Sequence, residues 1–484
     1  MDSQLHIFFF PYMAPGHIIP ATEMAKLFAS RGCKATIIST PANAPHIHKA
    51  IESSTNLGLE IGVLPIRFPT QEVGLPEGCE NANSVTGKEM EDKFFTAVTM
   101  LDQPLEQLLM EHRPNCLVAD IFFPWATEVS AKFGIPRLVF HGTSFFALCA
   151  ATNLFLHEPH KQISSDSEPF VIPNLPDEIK ITRNQLPDYM KDESDSELSD
   201  FLKKVKESEL NSYGVIVNSY YELEPAYADH YRNVLGMKAW HVGPTFLCNE
   251  EKKGNKAETG KQASISEQEC LNWLDHKKPN SVIYVCFGSM ANFDDAQLME
   301  IAVGLEASGK QFIWVVKKGK HEEGVKEEWL PGGFEKRMEG RGLIVRGWAP
   351  QVLILQHQAV GGFVTHCGWN STLEGVCAGV PMVTWPVSAE QFYNEKLVTQ
   401  VLGIGVGVGA KKWARLTGDS LKREAIGKAV TLIMEGEKAE QMRCRAWALG
   451  VTASGAVKEG GSSYADLTAL IEDLRLQRNG CGSK

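Results

Sequence analysis

Short apolar segments alternate with longer amphipathic segments along most of the chain. Runs of this length that are rich in Val, Ile and Phe predict buried β-strands. In the first half they occupy residues 5–10, 34–40, 59–66, 115–120, 137–142 and 213–219. Segments with a helical pattern lie between them, for example 20–32, 124–134 and 224–236. Strands and helices in alternation predict a parallel sheet that is covered on both faces.

The second half repeats the same rhythm. Its predicted strands occupy residues 281–289, 311–316, 342–348, 361–368, 381–386 and 405–408. Helical patterns at 424–436 and 464–478 close the chain. We therefore predict two α/β halves. In open parallel sheets, ligands bind at the carboxyl ends of the strands.

Two segments interrupt this rhythm. Residues 248–264 are polar and charged without apolar periodicity, which is typical of a linker. Residues 157–212 carry many prolines and charges, and we interpret them as an excursion, with a lid as one possible role. The predicted division is thus 1–247, the linker 248–264, 265–461, and a terminal helical segment 462–484.

Composition and charge exclude several classes of protein. The 484 residues are 43% hydrophobic and 22% charged, as in an ordinary globular protein. A net charge of −11 without a long basic run argues against nucleic acid or an anionic membrane as partner, but allows a small anionic ligand. Eleven cysteines without a C-x-x-C pair indicate neither a disulfide framework nor a zinc site. The N-terminal apolar run at 5–10 is too short for a signal peptide or membrane span, so we expect a cytoplasmic protein.

The segment 361–377 has the chemistry of an anion site. A glycine-rich strand and turn lead into a helix whose start shows Ser371 and Glu374 in the spacing of a capping box. Unpaired N–H groups and the positive end of the helix dipole suit a pyrophosphate there. His366 and Asn370 could add donors, and Trp348 could stack on a flat base. The alternative is that the serine and glutamate only cap a helix and that the tryptophan is a core residue.

Two other glycine patterns are not assigned a function. Residues 304–310 have P-loop spacing, but Gln311 follows where Ser or Thr is required, and the segment ends a helix. Gly309 is better interpreted as a helix C-terminal glycine. Residues 405–410 match a dinucleotide fingerprint but follow a helix, so an NAD site there is not favoured.

The first half offers a candidate acid–base pair. His17 follows the first predicted strand, just before a helix expected from Pro20, and Asp120 ends the strand 115–120. In a parallel sheet both lie at the same carboxyl edge. A carboxylate beside an imidazole sets its tautomer and stabilises the imidazolium. The alternative is that His17 belongs to a helix-entry turn and that Asp120 caps the next helix.

The 44 residues 348–391 resemble the signature segment of plant-type UDP-dependent glycosyltransferases (family 1) that modify small molecules. The tryptophan at the start, HCGWNS in the centre and Glu-Gln at the end all match, and the resemblance extends over essentially the whole chain. It implies a GT-B fold: two Rossmann-like domains with a cleft between them. It also implies acceptor binding in 1–247, UDP-sugar binding in 265–461, and a terminal helix that returns to the first domain.

The resemblance also implies roles for single residues. Trp348 would stack on uracil, and the backbone of Ala349 would pair with the base edge. Gln351 and Glu374 would bind the ribose hydroxyls. The phosphates and the sugar would be bound by the following residues: His366, Asn370, Ser371 and Ser289 for the phosphates; Trp369, Glu390 and Gln391 for the sugar.

In the first domain, His17 and Asp120 match the catalytic dyad of this family, and Thr143 matches a position that contacts the donor sugar. Aromatic residues that could form the wall of the acceptor pocket are Phe122, Phe123, Phe145 and Phe146. An aromatic pocket suits planar or terpenoid acceptors, although such residues are also ordinary core.

The implied reaction is inverting transfer of glucose from UDP-glucose, a co-substrate, to a hydroxyl of a flavonoid, triterpenoid or other phenolic metabolite. Gln391 resembles the glucose-using members. The chain contains no D-x-D motif, so we expect neither metal nor cofactor. We expect a monomer that binds no nucleic acid. The alternatives are another UDP-sugar (galactose, xylose or glucuronate), an epimerase, or a non-catalytic UDP-sugar-binding protein.

Overall fold

The computed structural model describes residues 4–191, 197–248, 265–317, 329–415 and 417–481. The predicted linker 248–264 lies outside these residues except for Cys248. The described strands are the following: β1 His6–Phe10, β2 Lys34–Ser39, β3 Ile61–Pro65, β4 Cys116–Asp120, β5 Arg137–His141, β6 Pro169–Val171, β7 Lys180–Thr182, β8 Gly214–Val217, β9 Ala239–His241, β10 Val282–Cys286, β11 Gln311–Val316, β12 Gly342–Arg346, β13 Val360–Thr365, β14 Met382–Thr384 and β15 Gly405–Gly407.

The helices connect these strands as the periodicity predicts. The described α-helices are the following: α1 Pro15–Ser30, α2 Ala44–Asn56, α3 Thr70–Val73, α4 Lys88–Thr99, α5 Asp102–His112, α6 Ala126–Ala131, α7 Phe145–His157, α8 Asp188–Lys191, α9 Glu197–Leu210, α10 Pro225–Asp229, α11 Glu267–Asp275, α12 Asp295–Ser308, α13 Phe334–Arg337, α14 Gln351–Gln356, α15 Trp369–Cys377, α16 Gln391–Lys396, α17 Arg423–Met434, α18 Gly436–Ala456 and α19 Ser462–Cys481.

In the described part of the chain, seven parallel strands form the first sheet. Their order is β3-β2-β1-β4-β5-β8-β9. Every residue of the central strands β4 and β5 is buried, because helices cover both faces. The order changes direction between β1 and β4, so this is the point at which a doubly wound sheet opens a crevice for ligands.

A second sheet contains, among the described residues, six parallel strands in the order β12-β11-β10-β13-β14-β15. Its change of direction falls between β10 and β13, which pair from Val282 to Cys286.

The short strand β9 of the first sheet is absent from the sequence prediction, since three residues carry too little periodicity to be recognised. All other predicted strands are present.

The described chain divides into two compact units. One comprises Met1–Phe145, Ser194–Thr259 and Gly455–Lys484, and the other comprises Phe146–Glu193 and Gly260–Ser454. The grouping differs from the sequence-based division for residues 146–191, which belong to the second unit, and for 455–461, which belong to the first. Within the stretch 146–191, β6 and β7 form an antiparallel pair.

The terminal helix α19 packs on the first sheet. Its side chains Leu467, Leu470, Ile471 and Leu474 are 0–4% exposed and belong to the core formed with β1, β2 and α1. Asp466 accepts hydrogen bonds from Arg232 Nη2 (2.6 Å) and from the backbone N–H of His241 (2.9 Å). Apolar burial and these directional bonds together specify where the helix lies.

None of the helices in the described part of the chain combines the length and the apolar character that crossing a bilayer requires.

Candidate active site

His17 and Asp120 meet at the change of direction in the first sheet. His17 follows β1, and Asp120 is the last residue of the adjacent strand β4. His17 Nδ1 lies 2.7 Å from Asp120 Oδ2. The carboxylate is fully buried, whereas the imidazole is 23% exposed. Because a carboxylate only accepts, this bond places the ring proton on Nδ1 and a lone pair on Nε2.

The local structure around His17 differs from the prediction in one respect. Helix α1 begins at Pro15, not near Pro20, so His17 is the third residue of the helix and Pro20 lies inside it. Proline is favoured at the first helical position, and the chain uses Pro15 there. His17 therefore stands on a rigid helical turn rather than in a loop.

Asp120 does not cap the next helix. Residue 125 occupies the N-cap position of α6, and Asp120 Oδ1 instead accepts from the backbone N–H of Phe122 (3.2 Å). The buried Arg137 donates to the backbone oxygen of Asp120 (2.8 Å), which holds the end of β4. Burial lowers the pKa of Arg137 to about 10, so the guanidinium remains charged at neutral pH.

The predicted aromatic wall is only partly at this site. The ring of Phe122 lies 5.6 Å from that of His17. Phe123 stacks on Phe10 in the core at 4.2 Å, and Phe123, Phe145 and Phe146 are all 0% exposed. These three side chains expose no area to a ligand in this structure, since large aromatics gain most by complete burial.

Two further groups stand beside the dyad. The ring of Tyr12 lies 5.5 Å from that of His17, a neighbour that the sequence did not reveal. Thr143 follows β5 at the same sheet edge, and among the described residues its buried hydroxyl has no hydrogen-bond partner. A buried hydroxyl without a partner is costly, which favours a bound ligand that would satisfy it.

In the second sheet, His366 sits between two glycine turns. It follows β13, while Gly288 and Ser289 follow the adjacent strand β10. A Cβ on Gly288 would lie 2.5 Å from Cε1 of His366, and a Cβ on Gly368 would overlap Nε2. Only glycine at both positions leaves room for the imidazole. In the described part of the chain, the buried Nδ1 of His366 has no hydrogen-bond partner.

Helix α15 starts earlier than the pattern indicates. It begins at Trp369 after the N-cap Gly368, a residue without a side chain that could cap the helix. The predicted capping box at Ser371 and Glu374 is therefore wrong. Because the helix starts two residues earlier, Ser371 is its third residue and its backbone N–H belongs to the first turn. The first N–H of the helix, that of Trp369, donates to Glu390 Oε1 (3.2 Å), so a side chain from outside the helix contacts its N-terminus.

Gln351 connects the residues predicted to bind ribose. Its Nε2 donates to Glu374 Oε2 (2.6 Å) and to Ser371 Oγ (2.9 Å). Its Oε1 accepts from the hydroxyl of Tyr284 on β10 (3.2 Å). Tyr284 is a positioning residue that sequence reasoning assigned only to a strand. Trp348 is partly exposed just after β12, and Ala349 is buried beside it.

Two of the residues predicted to bind the sugar, Glu390 and Gln391, lie where a turn leads into α16. Glu390 Oε1 accepts from the backbone N–H of Trp369 (3.2 Å) and from Asn394 Nδ2 (3.1 Å). The indole of Trp369 is 2% exposed, so its backbone, not its ring, takes part here. Gln391 Oε1 accepts from two backbone N–H groups of the turn at 2.9 Å each.

Lys317 adds a positive charge that was absent from the prediction. It follows β11, and its Nζ donates to the backbone oxygen of Ser289. Burial, together with the charge of Lys317, lowers the pKa of His366 to about 4. His366 is therefore a neutral donor at physiological pH. The sequence signal that could have identified Lys317 is its position directly after the apolar run 311–316, at the end of a predicted strand.

Comparisons with known proteins agree with this geometry. Residues 240–438 match the family described as UDP-glucoronosyl and UDP-glucosyl transferase. The chain is 58% identical over 480 residues to UDP-glucose flavonoid 3-O-glucosyltransferase 7 of Fragaria ananassa, covering 97% of this chain and 96% of that protein. It is 56% identical over 471 residues to scopoletin glucosyltransferase of Nicotiana tabacum, covering 97% and 98%. The chain belongs to the UDP-glucosyl transferase family.

The fold of this member of the UDP-glucosyl transferase family closely resembles that of a solved structure. The crystal structure of a Glycyrrhiza uralensis protein complexed with glycyrrhetinic acid 3-O-monoglucuronide has a TM-score of 0.90 and 40% identity, covering 99% of this chain and 97% of that one. A Medicago truncatula structure complexed with UDP-glucose has a TM-score of 0.79 and 27% identity, covering 98% and 99%. With two parallel sheets, these similarities confirm the predicted GT-B fold and the prediction of a UDP-glycosyltransferase.

Proposed function

We propose that this chain transfers glucose from UDP-glucose to a hydroxyl of a plant phenolic metabolite and inverts the configuration at C1. The observation that carries the proposal is the bond between His17 Nδ1 and the buried Asp120, because it leaves Nε2 as the basic nitrogen of a partly exposed imidazole. Such a pair is the arrangement that general-base catalysis requires.

In the proposed reaction, His17 Nε2 takes the proton of the acceptor hydroxyl as its oxygen attacks C1 of glucose. The bond between C1 and the diphosphate oxygen breaks, and UDP leaves with the electron pair. Asp120 stabilises the imidazolium that forms. Attack opposite to an α-linked UDP group gives a β-glucoside.

The leaving diphosphate would be bound in the second unit. The N-terminus of α15 contributes the positive end of its helix dipole, His366 is a neutral donor, and Lys317 supplies a positive charge. We therefore propose that the reaction needs no metal ion. Preincubation with excess EDTA should leave the rate unchanged, and a rate restored only by Mg²⁺ or Mn²⁺ would contradict this.

The acceptor class is proposed from the relatives. Three of the proteins that are 56–58% identical carry names for a flavonoid, scopoletin and an anthocyanin, and all three are phenols. The structure with a triterpenoid glucuronide is less similar, at 40% identity. We further propose that the protein is a cytoplasmic monomer, which size-exclusion chromatography and localisation of a fluorescent fusion would test.

The decisive experiment incubates the protein with UDP-glucose, UDP-galactose, UDP-xylose or UDP-glucuronate and a panel of flavonoids, coumarins and triterpenoids, with products identified by mass and NMR. We expect β-glucosides of phenols. His17→Ala should lower the rate by about 100-fold or more while UDP affinity stays within about twofold. Transfer that persists in His17→Ala would contradict the assignment of the base, and binding of UDP-glucose without any product would favour a binding protein.

A further inference from the structure

The turn from Val387 to Gln391 carries two of the residues expected to bind glucose, Glu390 and Gln391. Ala389 has a φ of 50°, a left-handed conformation that is unfavourable for a residue other than glycine. Gln391 Oε1 stabilises the turn from inside by accepting from the N–H groups of Val387 and Ser388. The position of the Glu390 carboxylate thus depends on keeping a strained backbone in one conformation.

Trp413 holds this turn from outside. Its indole Nε1 donates to the backbone oxygen of Ala389 (3.3 Å), directly at the strained residue. The next residue, Ala414, donates its N–H to the backbone oxygen of Val387 (3.0 Å). The side chain of Trp413 is 8% exposed, so the bond from its indole is shielded from water.

The same tryptophan binds the segment 180–191, which belongs to the same unit. The backbone N–H of Trp413 donates to the oxygen of Asn184 (2.8 Å). The ammonium of Lys191 lies 6.0 Å from the centre of the indole ring, and the hydroxyl of Tyr393, on the helix after the turn, lies 3.9 Å from Sδ of Met190. Trp413 therefore contacts both the Val387–Gln391 turn and the segment 180–191.

The segment is itself well anchored. Arg183 donates to the backbone oxygens of His160 (2.6 Å from Nη2) and Ile163 (3.0 Å), and it pairs with Asp166 (3.1 Å). Thr182 and Gln185 form a reciprocal capping box around it. A segment that is fixed in this way can act as a rigid support for Trp413.

We propose that Trp413 is a positioning residue for the donor sugar, which anchors the Val387–Gln391 turn to the segment 180–191 and so sets the places of Glu390 and Gln391. This inference rests on the proposed function, since it assumes that these two residues bind glucose. Trp413 itself acts only through them.

The test is Trp413→Phe, which removes the indole N–H and keeps an aromatic ring in the core. Dissociation constants for UDP-glucose and for UDP are measured by calorimetry without an acceptor. Loss of one buried hydrogen bond should weaken UDP-glucose binding roughly three- to tenfold, while UDP binding stays within about twofold. With an acceptor, KM for UDP-glucose should rise in parallel. Trp447→Phe, at an indole that is 67% exposed on α18, is the matched control and should change neither constant.

Thermal unfolding is measured first, and binding is compared well below the unfolding midpoint of both proteins. Equal weakening of UDP and UDP-glucose, or a lowered midpoint with both constants unchanged, would overturn the inference and leave Trp413 a merely structural residue. If the wild-type protein transfers a different sugar, the same comparison is made with that UDP-sugar. Absence of transfer in the wild type contradicts the proposed function, whereas the difference between UDP and UDP-sugar binding still tests Trp413.

Discussion

Single residues at this site act by the space they leave as much as by the groups they carry. Gly288 and Gly368 contribute no side chain, yet both are required because the His366 ring fills the volume where a Cβ would lie. Gly288 also has a φ of 67°, whereas Gly368 has an ordinary φ of −60°. A substitution at Gly368 therefore tests the steric effect on His366 without the backbone strain that a positive φ would add.

We predict that Gly368→Ala displaces the His366 ring and lowers kcat/KM for UDP-glucose at least about tenfold, the usual scale for loss of one charge-stabilising donor. Steady-state kinetics checks this. Gly332→Ala, where a Cβ would meet no atom within 4 Å, is the control and should be near wild type. In a His366→Ala background the added Gly368→Ala should have little further effect, and a full additive loss would contradict the steric explanation.

A second residue-scale prediction concerns protonation. The pKa of His366 is lowered to about 4, first by burial and then by Lys317. Removing this charge in Lys317→Met should raise the pKa, but not to the usual 6.5, because burial remains. Titration of the ring by NMR measures it. Lys310→Met, at the other end of the same strand, should leave this pKa unchanged.

The sign of the linked stability effect follows from that pKa. A folded-state pKa below the unfolded value means that the unfolded chain binds the proton more readily. His366 therefore contributes its full stability above about pH 6.5 and loses it as the pH falls towards 4. Because Lys317→Met should raise the folded-state pKa, the pH range over which this stability is lost should become narrower, and its lower limit should lie above about pH 4.

At the scale of elements, amphipathicity predicted which segments are helices better than it predicted their starts. Both α1 and α15 begin earlier than expected, at Pro15 and Trp369. Each extension places a functional group, His17 or Ser371, in the first turn of a helix. Side-chain signals such as a capping box indicate that a helix can start there, but the competing contacts of the fold decide where it does.

We predict an element-scale effect for the terminal helix. Leu470 is fully buried against the first sheet, whereas Leu476 on the same helix is 71% exposed. Leu470→Ala should lower the free energy of unfolding by about 2–5 kcal/mol through the cavity it leaves. Leu476→Ala should change it by less than about 0.5 kcal/mol. Denaturant unfolding followed by fluorescence measures both, and equal effects would contradict the packing described for α19.

At the scale of the whole molecule, a net charge of −11 says little about a diphosphate site. The proposed site uses backbone N–H groups at α15, a neutral imidazole and one lysine, all at the edge where the second sheet changes direction. Local dipoles dominate at contact distance, while distant exposed charges are screened within about 10 Å at ordinary salt.

The position of the proposed phosphate site predicts which segments UDP protects from hydrogen exchange. UDP should slow hydrogen exchange in the turns after β10 and β13 and in the first turn of α15, and leave α19 unchanged. Mass spectrometry of peptides from exchange reactions with UDP, and with uridine as the control without phosphates, checks this. Protection by uridine equal to that by UDP would contradict a phosphate site at the helix start.

The sequence by itself predicted every described strand except the short β6, β7 and β9, and also the two-part organisation, because both depend on local patterning. Most residues of the proposed site were expected from the resemblance of the segment 348–391 to a known family. Only the tertiary structure decided that β1 lies beside β4 and β10 beside β13. Strand order brings together residues more than a hundred positions apart, such as His17 and Asp120, through contacts that no local pattern encodes. The same reason explains Tyr284, Asn394 and Trp413, whose roles depend on what packs against them.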